Sequence, residues 1–454
     1  MDRSSVGSEA RFEAFVEALS GVMGHADRAE PLRDYCTGLL LPVDRKSVEP
    51  IAAATAPCAV SAKHQSLLHF VGQAPWLDDA VMAKVRAMVL PVIERSGPVR
   101  AWIVDDTGFP KKGKHSVGVA RQYCGQLGKP DNCQVAVTLS VANDAASLPV
   151  AYRLYLPESW ASDAARCKKV GVPGDIVFQT KPEIAFDQIK AAQAAGIAPG
   201  VVLADAGYGV NTRFRSSVTA LGLSYVMGVQ GSIGVSRGKG RPVSAKRLAV
   251  KLDELAWKKV TWREGTNTSL TSRFAALRVR PTHRDTPKSK PHQIEWLLIE
   301  WPKGEKEPTK YWLSTLPEAI TLKALVDLAK LRWRIERDYQ DLKQEIGLGH
   351  YEGRGWRGFH HHAALCIAAY GFLISERETF PPSGPRRNSK RQASAFPENY
   401  RPRGAPNSNR QTHSKFNRNT APTSHRRPGA KTAPMSMLRQ GTGIAPCVTT
   451  VMTQ

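Results

Sequence analysis

Two short apolar runs in this chain end in aspartate, and they limit its possible folds more than any other feature. Arg100-Ala-Trp-Ile-Val-Asp-Asp106 and Gly200-Val-Val-Leu-Ala-Asp205 are too short for helices and read as buried strands ending in acids. Residues 134–141 and 149–155 read as two further strands, expected to be antiparallel. Residues 184–195 read as a helix, Asn211 as the cap of the next one, and 223–229 as another strand. Strands first, then alternating strands and helices, predict a mixed α/β sheet. Ligands of open α/β sheets bind beyond the carboxyl ends of strands, which makes the two strand-end acids candidates for chemistry.

The flanks have other textures. Phe12, Phe15, Val16 and Leu19 recur at helical spacing, as do Leu67, Leu68, Phe70 and Val71, so residues 1–97 are expected to form a helical domain. It is a candidate DNA-reading module, although no helix-turn-helix pattern singles out residues. Core elements would follow over 98–235, a β-rich insertion over 236–318 with β-like runs at 273–279, 294–301 and 311–316, and helices over 319–376. One long helix is expected from about Leu322 to Glu345. From Pro381 onward, 74 residues carry 13 Lys/Arg against one acid, Glu398, with 10 of the 31 prolines. Such composition does not repay the entropy of ordering, so 377–454 is expected to be a basic disordered tail.

Charge narrows the partners. Lys plus Arg number 64 against 40 acids, a net +24, which excludes an acidic solvating protein and points to polyanions, chiefly nucleic acid. The longest apolar run, residues 363–374, has 12 residues, where a bilayer span needs about 20, so no membrane partner is expected. The polar start of the chain lacks a secretory core. The seven cysteines form no Cys-x-x-Cys pair. Together these predict a cytoplasmic, nucleoid-associated protein.

A third acid can come from the expected long helix. Glu336 lies four residues after Arg332 and seven before Lys343, and at about 100° per residue the three share one stripe. Three converging carboxylates suit hard cations such as Mg²⁺, which keeps other positions for water or phosphate oxygens. Two such ions about 4 Å apart would serve an in-line phosphoryl displacement. Taken singly, each aspartate also fits a helix cap, and Arg332–Glu336 also fits an ordinary surface pair.

Ile103-Val-Asp-Asp-Thr-Gly-Phe-Pro-Lys-Lys-Gly113, followed by Gly118-Val-Ala-Arg-Gln-Tyr-Cys-Gly125, resembles the first acidic block of DDE transposases of bacterial insertion sequences. Val202-Leu-Ala-Asp-Ala-Gly-Tyr-Gly209 resembles the second. Leu331-Arg-Trp-Arg-Ile-Glu336 with Lys343 resembles the third, written Tyr-x2-Arg-x3-Glu-x6-Lys. The blocks occur in order, 99 and 131 residues apart, and the resemblance covers about residues 100–375.

The resemblance implies an RNase H-like core in which Asp106, Asp205 and Glu336 bind Mg²⁺, or Mn²⁺ in its place. Arg332 and Lys343 match positions that contact the transposon-end DNA backbone. Ala329 stands where the motif has tyrosine. Asp105 and Asp106 point to opposite faces of a strand, and the Asp-Thr pairing in the family block favours Asp106. The implied partners are double-stranded DNA, as inverted-repeat ends and target, and a second copy of the chain in a paired-end complex. The implied function is cleavage at the element's ends and strand transfer. Rival readings are a decayed DNA-binding remnant and a metal-dependent nuclease that does not join strands.

Other residues have two readings each. Lys111 and Lys112, with Lys114 and His115, could hold phosphates or form a solvated turn. Trp296 and Trp301 could stack a flipped base or belong to the core. His360, His361 and His362 splay about 100° apart on a helix and are assigned no site.

Overall fold

The computed structural model describes residues 7–238, 240–264, 269–282 and 293–381. Five helices come first: α1 (Ser8–Ser20), α2 (Ala29–Leu40), α3 (Val48–Thr55), α4 (Val60–Gly72) and α5 (Asp78–Arg95). Val16, Leu19, Leu32, Leu39, Leu67 and Phe70 bury their helical stripes. The sheet begins with β1 (Ala101–Pro110), β2 (Ala120–Cys124), β3 (Lys129–Ala142) and β4 (Ser147–Leu154). Short helices α6 (Glu158–Ala161) and α7 (Ala164–Lys169) lead to α8 (Lys181–Ala194). Thr180 and Glu183 cap α8 reciprocally, with proline in its first turn.

Next come β5 (Val201–Ala204), α9 (Ala206–Gly209), α10 (Thr212–Ala220) and β6 (Tyr225–Val229). As expected, the Asn211 side chain caps α10, accepting from the Phe214 amide. β1 pairs antiparallel with β3 and parallel with β5, β5 pairs parallel with β6, and β4 lies on the other side of β3. The order β4-β3-β1-β5-β6, with three antiparallel neighbours followed by two parallel additions, is the mixed α/β sheet expected of an RNase H-like core.

The β-rich stretch does not stand apart from that sheet. After β7 (Gly234–Ser236), β8 (Val243–Ser244) and α11 (Ala245–Val250) come β9 (Lys258–Glu264), β10 (Ser269–Thr282), β11 (Glu295–Trp301) and β12 (Lys310–Ser314). β12 pairs antiparallel with β6, and β11, β10 and β7 follow outward, giving one sheet of twelve strands among the described residues. Backbone pairing between distant segments leaves no local trace in sequence, so this continuity was not foreseeable from the β-like runs alone.

The expected long helix is two: α12 (Leu322–Leu331) and α13 (Trp333–Gln344), meeting at Arg332. There the Ile335 amide bonds the Arg332 carbonyl at 3.2 Å, three residues back rather than four. From this point Arg332 reaches Asp105 of β1 and holds Glu336, one turn on. The last helix, α14 (Trp356–Thr379), contains the 12-residue apolar run and is buried along most of its length. No helix of the described residues is long and apolar enough to cross a membrane. α14 ends three residues beyond the expected boundary at 376, and the rest of the expected tail, past residue 381, lies outside the described residues.

Candidate active site

The two faces of β1 are covered differently. Ala101 and Ile103 pack with Leu325, Ile335 and Tyr339 of α12 and α13. Trp102 and Val104 pack with Ile184 and Ile189 of α8 and Tyr208 of α9. Alternation then turns Asp105 toward α13 and Asp106 toward α8 and α9. On β5, Val201 and Leu203 belong to the α12–α13 side and Val202 and Ala204 to the other. Asp205 keeps extended backbone, φ −79° and ψ −176°, so it continues on the side of Leu203. Ile103 is the register partner of Leu203 in the parallel β1–β5 pair. β1 runs on to Pro110 rather than ending in acids as expected, so Asp105 lies mid-strand while Asp205 directly follows the end of β5. Each two residues beyond the paired Ile103 and Leu203, they stand on neighbouring strands, about 4.8 Å apart, on one face.

Two features place Asp205. Its carboxylate accepts from the amides of Gly207 at 2.9 Å and Tyr208 at 3.3 Å, so it also caps α9. That short helix lies hard against β6: a Cβ at Gly209 would fall 1.9 Å from the Gly228 carbonyl oxygen, and one at Gly228 would lie 2.9 Å from the Ala206 nitrogen. Only glycine permits this approach.

Glu336 joins the two aspartates through Arg332. The guanidinium donates to Asp105 Oδ2 at 2.7 Å and to Glu336 Oε1 at 2.5 Å, bridging strand and helix. Burial, with the charges of Asp205 and Asp106 and against the pull of Arg332, raises the Asp105 carboxyl to about 7. Arg332 is half-buried, and although burial works against its charge, Asp105, Glu336 and Asp205 raise its pKa. Asp105, Asp205 and Glu336 thus surround one guanidinium. Among the described residues, no three His, Cys, Asp or Glu side chains stand close enough to form a ready-made metal cage.

Asp106 is elsewhere. Its carboxylate accepts from Lys181 Nζ at 2.9 Å and from the Tyr208 hydroxyl at 3.2 Å, on the α8–α9 face. Sequence favoured Asp106 for the site; strand alternation instead gives Asp105 the face that carries Glu336 and leaves Asp106 on the opposite one. Which aspartate faced the third acid depended on strand register and helix placement, neither of which is written in the Asp-Asp-Thr block.

The expected DNA-contacting cations are mostly turned inward. Arg332 is bound to acids, as above. Lys343 Nζ donates to the Gly108 carbonyl at 2.7 Å and to Gln126 Oε1 at 3.3 Å, over the Phe109 ring, and burial lowers it to about 8. Lys111 Nζ donates to the Tyr351 carbonyl at 2.8 Å, and burial lowers its pKa. Lys112 is exposed. Ala329, at the motif's tyrosine position, is buried against the sheet.

The two tryptophans are built into the sheet. Trp296 Nε1 donates to the Pro317 carbonyl and its ring lies under Arg278. Trp301 Nε1 donates to the Glu305 carbonyl, and its ring meets Trp257 edge-on beneath Arg273. The three histidines are buried and separately partnered. His360 Nε2 accepts from the Leu154 amide, His361 lies between the Val71 and Trp76 carbonyls, and His362 bonds the Tyr35 hydroxyl and the Gly347 carbonyl.

Comparison with known proteins gives the chain's family. The family described as DDE superfamily endonuclease matches residues 18–269, and that described as transposase DDE domain matches residues 183–372. A curated relative, the probable transposase for insertion sequence element IS701 of Microchaete diplosiphon, is 32% identical over 167 residues, which is 37% of this chain and 40% of the relative. The match thus spans two fifths of that relative's length.

Proposed function

Because the chain belongs to the DDE superfamily of endonucleases, a family match covering more than half its length, we propose that Asp105, Asp205 and Glu336 are its catalytic acids and that it cleaves and rejoins DNA. The observation that carries this reading is the β1–β5 register, which sets Asp105 beside Asp205 on the face where Arg332 holds Glu336. The substrates are double-stranded DNA ends carrying the element's inverted repeats, and then target DNA. Two copies of the chain would bring the two ends together.

The donor set fits a hard divalent cation, Mg²⁺ or Mn²⁺. It is all carboxylate oxygen, and the position between Asp105 and Glu336 already holds a positive group, the Arg332 guanidinium. When bound, the metal would supply polarisation of the attacking and leaving oxygens. The chain's own residues supply the rest. The β1–β5 register sets Asp105 beside Asp205, Arg332 holds the third acid, and the Gly209–Gly228 contact holds the turn that carries Asp205. Water or a DNA 3′-hydroxyl attacks the phosphodiester in line, the P–O bond to the leaving strand breaks, and the attacking group loses its proton to solvent. No covalent bond between protein and DNA is required.

The test uses the purified protein, Mg²⁺ and a labelled duplex bearing the inverted repeat that flanks its gene, with Glu336→Gln alongside. Cleavage and joining that both vanish in the variant support the transposase reading. Cleavage without joining reduces it to a nuclease. Binding without cleavage in either protein favours a decayed remnant.

A further inference from the structure

The hairpin of β2 and β3 is anchored on one face and exposed on the other. Cys124, in the last pair before the turn, clusters with Cys133 and Val135 further along β3 against Tyr155, and Gln122 Nε2 donates to the Cys133 carbonyl at 3.0 Å. β1 lies so close that a Cβ at Gly108 would stand 2.9 Å from Cys124 Sγ. β2 is the end strand on the main path of the sheet. Arg121 and Tyr123, two residues apart, share its outward face, while Cys124 points in. The tip turns at Gly128, φ +65°.

Large apolar groups are exposed there beside cations. Tyr123 is 60% and Leu127 42% exposed, the Lys129 side chain is 65% exposed, and Arg121 is exposed. The acidic exception is Asp131, which pairs with Lys129 at 3.6 Å and whose pKa is lowered chiefly by the Asn132 amide. Aromatic and aliphatic side chains held in water between basic ones match single-stranded or distorted DNA, whose bases stack on aromatics while its phosphates meet cations.

Position matters as much as composition. Lys343 ties the tip to α13 through Gln126. Lys343 follows Glu336 by seven residues, two helical turns along the same stripe, or about 10 Å. That is about three steps of 3.4 Å along a DNA strand.

We propose that the β2–β3 hairpin grips the DNA about three nucleotides from the scissile phosphate, Tyr123 stacking on a base and Arg121 and Lys129 meeting the flanking phosphates. The proposal rests on the DNA-cleaving reading above.

The test places 2-aminopurine singly at each position within five nucleotides of the cleavage site and follows its fluorescence as the full chain binds. The wild type is expected to change the signal at one or two positions, two to four nucleotides from the cleavage site. Tyr123→Ala should lose that change and bind about tenfold more weakly, whereas Tyr123→Phe should retain both. The double change Arg121→Ala, Lys129→Ala should reduce the slope of log affinity against log salt by about two. Glu336→Gln run in parallel should keep the fluorescence change and lose cleavage, which separates the two claims. Wild-type cleavage with no fluorescence change, or a change untouched by Tyr123→Ala, would overturn the hairpin proposal and leave the acids standing. A smaller sedimenting species in Tyr123→Ala with DNA contacts intact would overturn it in favour of a contact between copies. A wild type that neither binds nor cleaves would sink both.

Discussion

Asp105 and His361 are both inward-facing titratable groups whose pKa values are shifted chiefly by burial, but their surroundings differ in kind. Around His361, the Val71 and Trp76 carbonyls face the ring nitrogens, one of them accepting the neutral ring's single N–H, Trp76 stacks on it, and its neighbours His360 and His362 have partners of their own. Around Asp105, the chain gathers more negative charge, from Asp205 and Asp106, and offers Arg332 as the principal counterion. The histidine run is closed upon itself. The acid site collects like charges around one guanidinium, the pattern that the proposed cation-binding role requires.

The comparison can be broken first at the acids. Glu336→Gln should lower cleavage by about 10³-fold or more, because it removes a carboxylate from a site whose charge stabilisation is worth several kcal/mol. Its thermal midpoint should stay close to that of the wild type, since the Glu336 side chain is 60% exposed. A cleavage rate within tenfold of wild type, measured on the inverted-repeat duplex, would remove Glu336 from the site.

Histidine burial makes the next largest effect. Burial lowers His361 and His362 to about 4, below the ordinary 6.5. The unfolded chain therefore takes up these protons first as pH falls. Stability is retained above pH 6.5 and lost progressively between 6.5 and about 4, by roughly 3 kcal/mol per histidine at the limit. Urea midpoints at pH 7.5 and 5 should differ for the wild type, and the difference should shrink in His362→Gln. An unchanged difference would show that His362 is not held neutral.

Gly209→Ala should cost about 1–3 kcal/mol by forcing α9 off β6, and it should slow cleavage because Asp205 caps that helix. Equal stability in a denaturant titration would contradict the close approach. The smallest effect belongs to Lys112, which is exposed on the turn after β1. Lys112→Ala should weaken DNA binding slightly and reduce the salt slope by about one. A slope unchanged within error would leave it a solvated turn residue.

Much of the core was legible along the chain. The apolar runs at β1, β3, β5 and β11 are dense enough to dictate strands, and Asn211 caps its helix. What escaped depends on distant segments. The β12–β6 pairing that extends the sheet joins residues more than 80 positions apart, and nothing local announces it. The break at Arg332 arises where the helix meets the acids, within a stretch of good helix formers. Lys111 and Lys343 carry the residue type expected of phosphate contacts, yet carbonyls folded over them from elsewhere capture both. The choice between Asp105 and Asp106 required the register Ile103–Leu203, which only the assembled sheet contains.

That choice is the central claim, and the paired variants Asp105→Asn and Asp106→Asn test it most directly. Single-turnover cleavage of the inverted-repeat duplex in Mg²⁺ should fall by about 10³-fold or more in Asp105→Asn. Asp106→Asn, which keeps an oxygen for the Tyr208 hydroxyl and loses only the Lys181 ion pair, should stay within about tenfold of wild type. Loss of cleavage in Asp106→Asn with near-normal rates in Asp105→Asn would contradict the assignment and return the site to the opposite face of β1.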